Sequence, residues 1–262
     1  MRRALGADGR GAGGRAQRPV KLRSLRAAVS FLTVLPVANV DGGPGERLGR
    51  AYFPAVGGVV GLVAALVFAV VAALSTPLLA AAAAVAVLCV LTGAIHLDGL
   101  GDSADGLLGR TDVAQRLQTM RDPRLGSYGV VAIAVVLLLD MAALAAMSPV
   151  RALAALIIAG ALSRLATLWV VTLVPYVRSA GLGVAALDPG HRFADLAVGS
   201  LTALLLCLLD WRRAVIAIAC VALTALLVVT LARRRIGGAT GDVYGATAEL
   251  CQMAALLVFA VR

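Results

Sequence analysis

The chain has 262 residues, of which 61% are hydrophobic, 4% aromatic and 15% charged, with a formal net charge of +10. So apolar a composition excludes an ordinary soluble domain and identifies an integral membrane protein. No basic and aromatic surface pattern accompanies the positive charge, so the expected partner is a lipid bilayer and not a nucleic acid.

Residues 1–24, rich in Gly and Arg, read as a disordered basic tail; the apolar stretch that follows is too short for a cleaved signal. Residues 25–262 read as a single membrane-embedded domain. Within 22–37, Leu22, Leu25, Val29 and Leu32 fall at helical spacing with Arg23 and Arg26 off that face, which predicts a helix lying in the membrane interface. Apolar runs at 52–74, 78–95, 128–147, 151–177, 196–209, 214–232 and 246–261 predict about seven transmembrane helices, within a range of six to eight. A crossing needs roughly 20 residues for a ~30 Å core, so 196–209 and 246–261 are short. The fold class expected is all-α, a polytopic helical bundle with an N-terminal interfacial helix. Cys89, Cys207, Cys220 and Cys251 lie in or beside apolar runs without metal-ligand spacing and read as small core residues.

With the N-terminus cytoplasmic, all Lys and Arg fall on that side except Arg151, Arg212, Arg213, Arg262 and the intramembrane Arg164. The positive-inside rule therefore predicts a multi-pass protein with 96–127, 178–195 and 233–245 on the cytoplasmic face. These three connections hold most of the remaining polar residues. In HLDGLGDSADG, residues 96–106, Asp98, Asp102 and Asp105 stand at i, i+4 and i+7 and would share one helical face. Unit charges ~6 Å apart repel by about 3 kcal/mol at an effective dielectric of 20, so such a face calls for a cation. Oxygen ligands suit Mg²⁺ or Mn²⁺, which take one or two carboxylates together with substrate phosphates. The glycines between them weaken a helix but admit a substrate or a neighbouring helix.

MRDPRLGSYG, residues 120–129, offers Arg121 and Arg124, with Arg110 upstream, as forks that match phosphate oxygens. Asp122 between them can hold the arginines in place or reach a metal. In RRRIGGATGDVYGATAEL, residues 233–250, glycines surround Asp242, and Glu249 follows seven residues later on a compatible face; Gly-rich turns into a helix can cradle phosphate. Two charges lie inside the apolar runs, Asp140 and Arg164, at depths of about 18 and 20 Å at 1.5 Å per residue. An unpaired charge there costs at least ~3 kcal/mol, so the two are expected to pair across the 148–150 hairpin.

Five segments together resemble the cobalamin synthase family, whose members are adenosylcobinamide-GDP ribazoletransferases: FLTVLPV (31–37), YFPAVGGVVG (52–61), HLDGLGDSADGLLG (96–109), MRDPRLGSYG (120–129) and GGATGDVYGA (237–246). The resemblance covers most of the chain after about residue 30. Val34, Gly101 and Pro123 depart from the family's common basic residue, Ala and Ser. The resemblance implies joining of adenosylcobinamide-GDP to α-ribazole, or its 5'-phosphate, with release of GMP and dependence on Mg²⁺. On this reading Asp98, Asp102, Asp105 and Asp242 bind metal. Arg110, Arg121, Arg124, Asp242 and Glu249 contact substrate. The catalytic set is Asp98, Asp102, Asp105, Asp122 and His96, with a carboxylate or His96 taking the hydroxyl proton. A homo-oligomer is left open. The residues alone would also suit a CDP-alcohol phosphotransferase, or a transporter whose acids bind a coupling cation.

Overall fold

The computed structural model describes residues 20–37, 49–109, 112–178 and 191–261. The expected tail therefore falls largely outside the described residues, as does Arg110. Helix α1 (Val20–Leu32) opens the described chain, and the apolar run from 52 follows as α2 (Phe53–Leu74) and α3 (Pro77–Thr92). Then come α4 (Ile95–Leu108), the short α5 (Val113–Thr119), α6 (Ser127–Ala145) and α7 (Pro149–Leu173). The chain ends in α8 (Arg192–Cys207), α9 (Trp211–Ile236) and α10 (Gly241–Ala260). Among the described residues there is no strand, only one parallel bridge between Tyr176 and Ala239.

Each of the seven expected spans finds a helix, with ends moved for local reasons. The 151–177 run stops at Leu173 because Val174 precedes Pro175 and takes the extended backbone that a following proline favours. The 246–261 run begins earlier, since the Thr240 side chain accepts the Val243 N–H and caps α10, giving 20 residues. By length and apolarity five helical stretches suffice to cross a membrane, or six if the bent α3–α4 pair counts as one. One of the five is 192–236 taken whole. It folds back at Asp210: Ser200 and Ala225 line one cavity, although a straight helix would set them ~37 Å apart.

The central helix is α7, the most deeply buried, against which α2 packs along its length. Gly57 and Gly61 of α2 meet the Gly160 and Leu156 carbonyls of α7, where any Cβ would collide with backbone. These small residues let two helices touch backbone to backbone, which is how packing is gained where lipid offers no hydrophobic drive. Outward faces stay apolar and exposed, for instance Val59, Val70, Leu201, Leu223 and Leu227. A belt of that extent suits lipid. Helix α1 is held by Phe31, whose ring stacks on Phe53 at 5.5 Å, and by the Val34 N–H, which donates to the Leu91 carbonyl.

The apolar run expected at 78–95 ends at Thr92, and the chain turns by 89° into α4. The turn is made by two successive left-handed residues, Gly93 (φ 62°) and Ala94 (φ 54°). Left-handed backbone costs a residue with a Cβ about 1–2 kcal/mol, so the bend at Ala94 is held by what surrounds it. Helix α4 thus leaves the direction of the spans and lies across one end of the bundle. The starts of α6, α8 and α10 and the ends of α7 and α9 meet at that same end, joined by the contacts described next.

Candidate active site

Helix α4 forms in spite of its glycines because they are contact points. Gly99 packs against the Asp242 backbone and Gly245 against the His96 carbonyl, so α4 and α10 cross with almost nothing between them. This crossing brings Asp242, at the head of α10, to the acidic face of α4. The three aspartates of α4 then meet different fates.

Asp105 is drawn to the start of α6, where its two oxygens accept the Gly126 N–H at 2.7 Å and the Gly129 N–H at 3.0 Å. It supplies the cap that Gly126 cannot, and its negative charge suits a helix N-terminus. Asp98 is exposed and Asp102 half-buried. The Asp102 carboxyl is raised to about 7, first by burial and then by the charges of Asp98 and Asp242, against which Arg178 works. Burial and the neighbouring carboxylates together make the ionised form of Asp102 costly, which a bound cation would relieve. Among the described residues no three His, Cys, Asp or Glu side chains converge to hold a metal ion. The chemistry of the set fits a Mg²⁺ held by one or two carboxylates and completed by phosphate oxygens.

Arg178, outside the expected site, is the cation here. Its Nη2 lies 2.7 Å from Asp242 Oδ2 and donates to the Met120 carbonyl at 3.2 Å. The Thr240 hydroxyl donates to the same Asp242 oxygen. Arg178 is placed by the two-stranded contact in which the Val177 N–H donates to Ala239 and the Ala239 N–H to Pro175. Among the described residues its Nε is buried without a partner, as are the Tyr244 hydroxyl and Ser103 Oγ. Tyr176 lies 6.0 Å from Tyr244, ring to ring. Buried polar atoms left over beside an acidic face are what a polar ligand would satisfy.

The 120–129 segment stands at the rim. Asp122 and Arg124 bind each other through two side-chain hydrogen bonds of 2.9 and 2.8 Å, which hold the Asp122 carboxyl down to about 2. Arg121 is exposed and its charge reaches Tyr176. Arg116, read from sequence only as a topology charge, is buried and donates to the Gly106 and Leu107 carbonyls, closing the end of α4.

His96 and Glu249 are not part of this face. His96 lies on the buried side of α4, its Nδ1 3.4 Å from Arg164 Nη2; since arginine only donates, that nitrogen is the acceptor. Glu249 sits about 10 Å deeper along α10 than Asp242 and is buried. It lines a small polar gap with Asp140, Arg164 and Gln252. The expected direct pair between Asp140 and Arg164 is corrected here: Arg164 donates to Gln252 Oε1 at 3.0 Å and to Ser163 Oγ at 2.9 Å, while Asp140 lines the same gap with its Oδ1 lacking a hydrogen-bond partner among the described residues. The guanidinium finds its acceptors on its own helix and on α10, which satisfy its donors without a carboxylate from across the hairpin.

Comparison with known proteins agrees over nearly the whole chain. The family model described as cobalamin-5-phosphate synthase matches residues 24–260. The chain is 37% identical over 243 residues to an adenosylcobinamide-GDP ribazoletransferase of Bradyrhizobium diazoefficiens, covering 91% of this chain and 94% of the relative. It is 39% identical over 241 residues to the protein of that name from Stutzerimonas stutzeri, covering 91% and 98%. With that of Desulforamulus reducens identity is 34% over 234 residues, covering 87% and 92%. No solved structure matches.

Proposed function

The chain belongs to the cobalamin-5-phosphate synthase family, and from this premise we propose that it joins adenosylcobinamide-GDP to α-ribazole, or its 5'-phosphate, at the α4–α10 face. The ribazole hydroxyl oxygen bonds the cobinamide-bearing phosphorus, the phosphorus–oxygen bond to GMP breaks, and the hydroxyl proton passes to a carboxylate. Asp98 and Asp102, with Asp242 beside them, would hold a Mg²⁺ that supplies charge neutralisation at the diphosphate. Arg178 orients Asp242 and has an Nε that no described residue pairs, which a phosphate oxygen would satisfy. Arg121 adds positive charge at the rim. Asp105 shapes the site by fixing the start of α6.

The observation that carries this reading is the half-buried Asp102 among Asp98 and Asp242, with Arg178 the cation that opposes them. The basic residues at this end support a cytoplasmic orientation in a bacterial inner membrane, where nucleotides are available. Purified protein in gradient-free vesicles should convert adenosylcobinamide-GDP and α-ribazole to cobalamin and GMP in equal amounts, with CDP-alcohols inert. Turnover of CDP-alcohols would favour the lipid phosphotransferase, and dependence on an ion gradient the transporter.

A further inference from the structure

The far side of α7 takes no part in the acidic face. There α8 and α9 splay apart on α7 and leave an apolar slot of about 440 Å³, bounded by Ala166, Trp169, Ser200, Leu204, Ala222 and Ala225. Trp169 and Leu204 are 45% and 53% exposed, so the slot opens outward, toward the lipid that surrounds these helices.

The rim identifies what fills it. Gly199 of α8 abuts Leu168 of α7. At about 1.5 Å per residue, Leu173 lies ~8 Å beyond Leu168, and Arg192 ~10 Å beyond Gly199, toward the same end of the bundle. Arg233 Nη2 donates to the Leu173 carbonyl at 3.5 Å, so Arg192 and Arg233 stand at one level above the slot. Helical rotation of about 100° per residue sets Arg233 within roughly 20° of Ala222 on α9, and Phe193 in line with Ser200 and Leu204 on α8. The Arg192 guanidinium lies 4.9 Å over the Phe193 ring and is carried onto that same line. The acid nearest by sequence, Asp195, is taken by Arg50 at 3.0 Å.

We propose that this slot binds one anionic phospholipid, its acyl chain lying between α8 and α9 and its phosphate held by Arg192 and Arg233. Guanidinium forks match phosphate oxygens, and basic residues over a cleft between membrane helices are the pattern that retains acidic lipids. The site is separate from the transfer reaction and does not depend on it.

The full chain, purified in mild detergent, is offered an equimolar mixture of phosphatidylglycerol and phosphatidylcholine with identical acyl chains, and retained lipid is counted by native mass spectrometry. Wild type should keep one phosphatidylglycerol per chain, preferred about thirtyfold from two surface arginines. The R192Q/R233Q variant should bring that ratio to about one, and A222F should reduce retention of both lipids. Size-exclusion profiles check folding; if A222F is not monodisperse, S200L fills the same slot from α8. Equal retention by wild type, a preference that survives R192Q/R233Q, or retention unchanged by filling the slot would overturn the proposal. So would a dimer mass that the slot-filling variants abolish, which would assign the slot to a second copy of the chain.

Discussion

Arg178 holds Asp242 at 2.7 Å across a gap of 64 positions in sequence, and with its bond to the Met120 carbonyl it ties the head of α10 to the segments that follow α7 and α5. Removing the guanidinium leaves Asp242 as a further uncompensated charge on a face already rich in them. Arg178→Ala should lower kcat/KM for the GDP substrate at least about tenfold. Arg178→Lys should recover only part, because an ammonium keeps the charge but has no Nε–H to offer a phosphate oxygen. Steady-state kinetics of the two variants checks this; wild-type turnover by Arg178→Ala would remove Arg178 from the site.

Asp105 and Asp102 should respond differently to the same kind of change. Asp105→Ala removes the acceptor for two α6 N–H groups and should cost about 1–2 kcal/mol of stability, with Mg²⁺ affinity little altered. Asp102→Asn should leave stability near wild type and weaken Mg²⁺ binding. Denaturation in detergent paired with Mg²⁺ titration separates the cap from the ligand.

Protons and Mg²⁺ should compete at Asp102. Because its pKa is raised to about 7, the folded protein holds a proton there that an unfolded chain would have lost near pH 4, and deprotonation on raising the pH weakens the apo fold. A divalent cation compensates the ionised form only. The rise in melting temperature on adding Mg²⁺ should therefore be larger near pH 8 than near pH 6, and Asp102→Asn should abolish the difference. An equal rise at both values in wild type would contradict this.

Gln252 should matter more than a neutral amide suggests. Gln252→Leu removes one acceptor from Arg164, which is 2% exposed and keeps Ser163 Oγ and His96 Nδ1, and should cost about 1–3 kcal/mol, as leaving a buried donor short of a partner does. Asp140→Asn, which keeps the shape and removes the charge, should cost less. Thermal unfolding of the two variants in the same detergent gives the order.

At the α4–α10 crossing, Gly245→Val should push the helices apart, since even a Cβ there would come within 2.9 Å of the His96 carbonyl. The expected result is a folded protein with activity reduced by about a hundredfold or more. Activity assays on detergent-purified protein with a normal size-exclusion profile test it.

The helices were legible because apolar runs of membrane length leave few alternatives, and the helical spacing of Asp98, Asp102 and Asp105 did place them on one element. What spacing could not reveal was their division of labour. Asp105 is claimed by Gly126, which lies beyond α5, and no local pattern announces a cap that distant. Arg178 looked like one more topology charge, since its partner comes from another loop. His96 and Glu249 lie near the acids in sequence, but His96 stands two positions, about 160°, round α4 from Asp98, and Glu249, on the same side of α10 as Asp242, lies about 10 Å deeper. The 89° bend was hidden by the apolar run that continues through it, with only Gly93 to mark it.

If the α4–α10 carboxylates perform the transfer, neutralising one of them should slow the chemical step itself. A single-turnover assay of GMP release from adenosylcobinamide-GDP, with α-ribazole and saturating Mg²⁺, compares wild type with Asp102→Asn in the same vesicles. The account predicts one GMP per active chain from wild type and release slowed by about a hundredfold or more in the variant, with its fold intact. Equal rates from the two proteins would contradict it.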